Sequence, residues 1–168
     1  MLRPDVKPLN KEFSSGPCAK RPNWKITNLK NALIGRSHRA TISKIKIQKL
    51  IKLTKEILKI PNDYLVGIVP GSDTGAVEMA MWNALGPKNI SILVWESFGK
   101  DWQKDLTEQL KITQIKIVSE DYGKLPNLSS IDFDDDVIFN WNGTTSGVCV
   151  PDSKWIDGDR KGLTICDM

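Results

Sequence analysis

The pattern of apolar and polar positions divides the chain into two differently built parts. In residues 42–58, lysines alternate with isoleucine and leucine at helical spacing, which predicts one long amphipathic helix with a core-facing apolar stripe. A shorter helix is predicted over residues 27–34, where Gly35 is placed to end it. Residues 1–25 are rich in Pro and Gly, and they predict an extended N-terminal arm.

After Pro61 the chain consists of short apolar runs separated by polar segments. The runs predict buried strands, and the segments between several of them have helical spacing. This alternation favours an α/β fold with a mostly parallel sheet flanked by helices. The predicted strands are residues 65–69, 90–95, 115–118, 137–139 and 163–166, and the predicted helices are residues 76–85 and 101–110.

The charge is distributed unevenly between these two parts. Residues 1–60 contain 15 Lys and Arg against 3 Asp and Glu, whereas residues 61–168 contain 9 against 17. A basic region can indicate a nucleic-acid partner. Here no aromatic residues are interleaved for base stacking, and the lysines fit the solvated face of the long helix. We therefore expect no nucleic-acid partner.

The apolar runs and the cysteines bear on location. The longest clean apolar run, residues 92–95, is far too short to cross a bilayer, and the N-terminus lacks the apolar segment of a secretory signal. Cys18, Cys149 and Cys166 are odd in number and widely spaced, which fits neither a disulfide framework nor a zinc site. We expect a cytoplasmic protein with no membrane partner and no metal.

The strongest local signal for a ligand is GSDTGA at residues 71–76, between a predicted strand and a predicted helix. Its two glycines allow close approach to the N–H groups of the helix N-terminus, where anions bind, and Ser72 and Thr74 add hydroxyl donors. The segment matches neither a Walker A loop nor the dinucleotide-binding fingerprint. A helix capped by Ser72, Asp73 or Thr74 after a tight turn explains the same residues, and both interpretations stay open.

Four segments leave strands at the carboxyl edge of the predicted sheet, which is where α/β proteins bind ligands. Besides residues 71–76, they include Phe98, whose ring can stack on a pyridine, and Asp167, whose carboxylate can keep a pyridine nitrogen protonated. The fourth segment, residues 142–147, is rich in hydroxyls. Each segment alone has a plainer explanation as a core residue, a cap or a turn. Together they suit a flat, heteroaromatic, phosphorylated cofactor.

The single histidine, His38, lies between Ser37 and Arg39, close to Arg36. This cluster could bind a phosphate or a carboxylate, and it lacks the partners of a catalytic triad. The acidic residues at 132–136 lack the glycine and terminal glutamate of a calcium loop, so we expect no metal there.

An ordered series of segments resembles the phosphoserine aminotransferases. FSSGP at residues 13–17 is similar to their N-terminal F-S-x-G-P segment, and SHR at residues 37–39 is similar to their substrate-phosphate motif. GSDTGA, WESFGKDW, WNGTTSGV and LTICD then follow in family order. The resemblance covers essentially the whole chain, and it is closest to the branch with PGSDTGA.

The resemblance implies a transferase of fold type I that depends on pyridoxal 5'-phosphate (PLP). Residues 26–168 would be the N-terminal part of the large PLP-binding domain. Phe98 would stack on the PLP ring, with Trp102 the less favoured candidate, and Thr144 would bond to the phenolic oxygen. Asp167 would pair with the pyridinium nitrogen, and the phosphate loop would contain Ser72, Asp73 and Thr74.

The implied reaction moves an amino group from glutamate to 3-phosphohydroxypyruvate, giving phosphoserine and 2-oxoglutarate in serine biosynthesis. His38 and Arg39 would bind the substrate in a homodimer, with one or both reaching the site of the partner subunit. In the family a Schiff-base lysine follows the aspartate at a distance, whereas here Asp167 is followed by Met168. We therefore expect no catalytic lysine in this chain and no activity from the chain alone.

Two alternatives to this reaction stay open. A related aminotransferase could act on a different oxo acid, because only residues 37–39 argue for a phosphorylated substrate. A non-enzymatic module could use GSDTGA alone to bind an anion.

Overall fold

The structure, a computed structural model, describes residues 20–168 together with Val6. The chain divides into two compact units, Met1–Gly67 and Ile68–Met168. Cys18 and the FSSGP segment at residues 13–17 lie outside the described residues, as does most of the predicted arm at residues 1–25. The arm therefore stays a prediction.

The first unit is dominated by one long helix, α1 (Thr41–Ile57). This confirms the helix predicted over residues 42–58. The helix predicted over residues 27–34 is wrong in extent, because a short 3-10 helix at Ile26–Leu29 is followed by turns. Leu29 and Ile34 are 43% and 80% exposed, so no packing stabilises a helix that is too short to persist alone.

The strand predicted over residues 65–69 does not form. The segment has no regular structure, and its apolar side chains include Leu65 at 99% exposure and Ile68 at 61%. An apolar run becomes a strand only where a neighbouring strand satisfies its backbone N–H and C=O groups. The described part of the chain offers this segment no such neighbour.

The second unit contains a four-stranded parallel sheet. Its strands are β1 (Ile90–Val94), β2 (Ile115–Ser119), β3 (Asp136–Asn140) and β4 (Thr164–Asp167), in the order β2-β1-β3-β4. Every pairing is parallel, which confirms the predicted α/β class with a parallel sheet. The other four predicted strands are therefore present, each within about two residues of its predicted limits.

Two helices cover one face of this sheet. They are α2 (Ser72–Ala84) and α3 (Ser97–Lys104), and α3 continues as a π-helical turn at Asp105–Gln109. Ile92 of β1 packs with Met81 of α2 and Leu106 of the π turn in a core where all three are fully buried. Both helices begin about four residues earlier than predicted, so residues 72–74 and Phe98 lie in first turns of helices and not in loops.

The other face of the sheet is covered by loop residues. Leu93, Val137 and Phe139 point to this face, and Phe139 contacts the ring of Trp155 edge-on at a centroid distance of 4.9 Å. Because both faces are covered, the central strands β1 and β3 are mostly apolar, as is usual in parallel sheets. β1 and β3 are buried at every position.

The strand order reverses between β1 and β3. From β1 the chain moves to β2 on one side, and it then returns to β3 and β4 on the other side. Ligands of open α/β sheets bind where the order reverses in this way. Within the described residues, no helix is long and apolar enough to cross a membrane.

Candidate functional site

Asp167 is the last residue of β4 and lies beside the last residue of β3. In the parallel register Asn140 is the partner of Asp167. Asn140 Nδ2 donates to Asp167 Oδ2 at 2.8 Å, and the indole Nε1 of Trp102 donates to the same oxygen at 3.0 Å. Asp167 is 9% exposed, so a carboxylate is kept almost out of water at the carboxyl edge of the sheet.

The surroundings of Asp167 oppose its ionisation. Burial raises the pKa of the Asp167 carboxyl above its ordinary value, and the carboxylates of Asp73 and Glu96 raise this pKa further. The hydrogen bond from Trp102 acts in the other direction, because it stabilises the charged form. No Lys or Arg forms an ion pair with Asp167 among residues 20–168. A cation bound at this carboxylate would offset the free-energy cost of burying its negative charge.

The GSDTGA segment forms the start of α2. Gly71 and Ser72 have φ angles of +91° and +61°, so two left-handed residues turn the chain into the helix. A Cβ at Gly75 would lie 2.6 Å from the carbonyl oxygen of Pro70, which only glycine avoids. The first N–H groups of a helix have no partner inside it, and they remain available to an anion. One of them, the N–H of Thr74, already bonds to Asp73 Oδ1 at 3.0 Å.

Phe98 and Trp102 are four residues apart on α3 and therefore share one face of it. Both line a cavity of about 290 Å³, and Thr74 from α2 lines it too. Phe98 is half-buried. Trp102 is 3% exposed and directs its N–H to Asp167, so its ring is committed to the core.

The loop after β3 carries Thr144, which is exposed. The structure gives contacts to its neighbour Thr145, whose hydroxyl donates to Glu96 Oε2 at 3.1 Å and accepts from Tyr122 at 2.7 Å. Glu96 is fully buried, and its other oxygen accepts from the N–H of Gly99 at 2.9 Å, which caps α3. The Glu96 carboxylate thus joins the start of α3 to the loop that presents Thr144.

Gly143 makes this loop compact. A Cβ at Gly143 would lie 2.7 Å from Cγ of Glu96 and 3.1 Å from Nε1 of Trp95, so a larger residue would push the loop away from β1.

Cys166 lies in β4 beside Asp167, and burial raises the pKa of its thiol to about 11. At neutral pH this thiol is protonated and therefore a poor nucleophile.

His38 and Arg39 belong to the first unit, in the turn before α1. Both are exposed, and the N–H of Arg39 bonds to the hydroxyl of Ser37 at 3.1 Å. The side chains of both residues are therefore presented to solvent, as a phosphate-binding pair requires.

Within the second unit the structure brings several predicted residues together. Thr74 and Phe98 line one cavity, and the Asp73 carboxylate is close enough to Asp167 to raise its pKa. The sequence interpretation assigned no role to Asn140, Glu96 or Thr145. Asn140 could have been found from its place at the end of a predicted strand, whereas the contacts of Glu96 depend on a loop conformation that spacing does not reveal.

These features fit PLP in three respects. The phosphate matches the N-terminus of α2, and the pyridine ring matches Phe98, a half-buried aromatic residue that lines one cavity with Thr74. The pyridinium nitrogen matches Asp167, whose Oδ1 accepts no hydrogen bond from the residues described here. No cluster of His, Cys, Asp or Glu suited to a metal ion is found among the described residues.

Several curated proteins are similar to this chain in sequence. The chain is 52% identical to the phosphoserine aminotransferases of Methanosarcina barkeri and Methanosarcina mazei, over 166 residues that make up 99% of this chain. The resemblance to phosphoserine aminotransferases is confirmed. A putative phosphoserine aminotransferase of Mycobacterium leprae is 24% identical over 148 residues. The chain spans 45% of the length of the two Methanosarcina relatives. No protein-family model matches the chain.

Proposed function

We propose that this chain is the N-terminal part of a phosphoserine aminotransferase that uses PLP. It would transfer an amino group from glutamate to 3-phosphohydroxypyruvate, a step of serine biosynthesis. One observation carries the proposal: a nearly buried carboxylate, Asp167, stands at the carboxyl edge of the sheet with one oxygen unused by the described residues. The identity of 52% to phosphoserine aminotransferases supports it.

The residues of the second unit would bind and orient the cofactor. Ser72, Asp73 and Thr74 would lie at the phosphate, where the α2 N-terminus provides N–H donors. Phe98 would stack on the ring, and the hydroxyl of Thr144 would bond to the phenolic oxygen. Asp167 would keep a proton on the pyridine nitrogen. When bound, PLP supplies the electron sink that makes amino transfer possible.

His38 and Arg39 would bind the phosphate of the substrate. Charge-assisted hydrogen bonds from an exposed arginine suit a phosphate group better than neutral donors do. In the proposed homodimer one or both residues would bind substrate in the site of the partner subunit.

The complete enzyme would work in the cytoplasm, and residues 26–168 would be the N-terminal part of its large domain.

The catalytic lysine would lie in a part of the enzyme that this chain does not include. More than half the length of the Methanosarcina relatives falls outside the match, since the chain covers 45% of it. Amino transfer needs a lysine amine both to attach the cofactor and to move a proton. We accordingly expect residues 1–168 alone to show no sustained turnover.

The test uses the complete protein that carries this chain, with glutamate as amino donor. We expect turnover with 3-phosphohydroxypyruvate to exceed turnover with glyoxylate by about tenfold or more, because glyoxylate lacks the phosphate that the arginine would bind. Asp167→Asn should abolish turnover and retain some PLP. Asp121→Asn, at an exposed aspartate paired with Lys124, is the matched control and should behave as the wild type.

The substrate assignment has a test of its own. Arg39→Ala should raise the KM for 3-phosphohydroxypyruvate by about tenfold or more and leave the affinity for PLP unchanged. Equal turnover with both oxo acids would contradict the choice of substrate, and full activity of Asp167→Asn would contradict the cofactor assignment.

A further inference from the structure

Two donors converge on a single oxygen of Asp167. The indole N–H of Trp102 and the amide of Asn140 both bond to Oδ2, at 3.0 and 2.8 Å. Both donors are 3% exposed, so water does not compete for these bonds. Two hydrogen bonds that reach the same carboxylate oxygen from different directions fix the rotamer of the side chain and the plane of its carboxylate.

The approach of α3 to the sheet makes this convergence possible. A Cβ at Gly99 would lie 3.2 Å from Asn140 Oδ1, 3.4 Å from the carbonyl oxygen of Leu93 and 3.5 Å from Cα of Val94. The glycine therefore lets the first turn of α3 pack directly on the end of β1. Trp102 follows one turn later, and from there its N–H reaches Asp167 across the end of β3.

Neither donor can lose its proton to the carboxylate at neutral pH, because an indole and a primary amide are too weakly acidic. They can therefore fix Asp167 without neutralising it. Replacing either donor would leave Asp167 with fewer bonds in a site where burial and two other carboxylates already disfavour its charge.

We propose that Trp102 and Asn140 are positioning residues that fix Asp167 through Oδ2 and thereby present Oδ1 to the pyridine nitrogen of the cofactor. The inference rests on the proposed function, because it requires PLP at this edge of the sheet. This role of Trp102 differs from the ring-stacking role for which the sequence made it the less favoured candidate. The ring of Trp102 is buried, and its N–H donates to the Asp167 carboxylate.

The test measures protonation of the cofactor and not turnover. PLP labelled with ¹⁵N in its ring is bound to the complete protein, and the ¹⁵N chemical shift is followed against pH. In Trp102→Phe the ring volume is largely retained and the N–H is lost. We expect the pKa of the pyridine nitrogen to fall by about one unit, because the negative charge of Asp167 is less well placed and less readily maintained. Asn140→Ala should lower the same pKa.

Trp155→Phe is the matched control. The Nε1 of Trp155 is buried and has no partner among the described residues, and its ring packs on Phe133 and Phe139 away from Asp167. This variant also loses a buried indole N–H, and the pyridine pKa should not change.

Equal pyridine pKa values in the wild type, Trp102→Phe and Trp155→Phe would overturn the positioning role of Trp102. Where Trp102→Phe cannot be purified folded, Asn140→Ala decides in the same way. A wild-type protein that binds no labelled PLP would instead overturn the proposed function, and this inference with it.

Discussion

Helices α1 and α3 both have the apolar spacing of amphipathic helices, yet they differ in what they bury. On α3 and the turn after it, Trp102 is 3% exposed and Leu106 is fully buried. On α1, Ile45 is 59% exposed and Leu50 is 51% exposed, and Ser43 is the buried residue of the helix. Spacing predicts that a helix forms, but burial also requires a surface that faces it.

The sheet provides that surface for α3, and this packing determines where α3 places Trp102 at the candidate site. Because α3 is fixed against β1, its tryptophan has one position, and this position brings the indole N–H to Asp167. The residues that would hold the cofactor in a fixed geometry are therefore expected in the second unit.

The largest expected difference between the two units is the cost of shortening a leucine. Leu106→Ala should lower the free energy of unfolding by about 2–5 kcal/mol, because it leaves a cavity between α3 and the sheet. Leu50→Ala on α1 should lower it by less than about 1 kcal/mol, since half of this side chain is already in water. Urea unfolding of both variants measures the difference, and equal costs would contradict the contrast between the two helices.

A pair of glycines gives the next largest effect. Gly75→Ala should lower the free energy of unfolding by about 1–3 kcal/mol, because the new Cβ meets a backbone carbonyl that cannot move freely. Gly67→Ala is the matched control: its Cβ would meet nothing within 4 Å, so stability should change by less than about 0.5 kcal/mol. Thermal unfolding compares the two, and an unaffected Gly75→Ala variant would mean that the start of α2 is not held as described.

Asp167 gives a smaller effect that depends on pH. Its pKa in the folded protein is raised from 3.8, mainly by burial, so the folded state binds its proton more readily than the unfolded state. Stability from this group is present below the unfolded pKa and is lost as pH rises through the folded pKa. Without PLP, Asp167→Asn should therefore be more stable than the wild type at neutral pH, and the difference should shrink as pH falls towards 3.8.

Thermal unfolding of the wild type and Asp167→Asn across this pH range makes the comparison. Asp121→Asn is the control, because Asp121 is exposed. A stability gap that grows as pH falls would contradict the burial of the Asp167 charge.

The smallest effect is expected on the surface of α1. Lys52 and Glu56 form an ion pair of 3.7 Å in which both side chains are more than half exposed. Glu56→Gln should change the free energy of unfolding by less than about 0.5 kcal/mol, and added salt should reduce even that. A loss above about 1 kcal/mol in urea unfolding would show that α1 is held by more than its surface contacts.

The sequence predicted the sheet well because parallel strands buried on both faces are mostly apolar, and Ile90–Val94 is apolar at every position except Ser91. The same rule failed at residues 65–69, where an apolar run has no strand beside it. Asp167 and Phe98 could be predicted near the same edge of the sheet, because the carboxyl ends of parallel strands share one edge. The roles of Trp102 and Asn140 could not, because they depend on the register of β3 with β4 and on the close approach of α3 at Gly99.

The affinity for PLP tests most directly whether the edge of the sheet at Asp167 is a cofactor site. The dissociation constant of PLP is measured by fluorescence titration for the complete wild-type protein, Asp167→Ala and the control Asp121→Ala. A lost charge-assisted hydrogen bond predicts binding about tenfold or more weaker in Asp167→Ala and unchanged in Asp121→Ala. Equal PLP affinity in all three proteins would contradict the account.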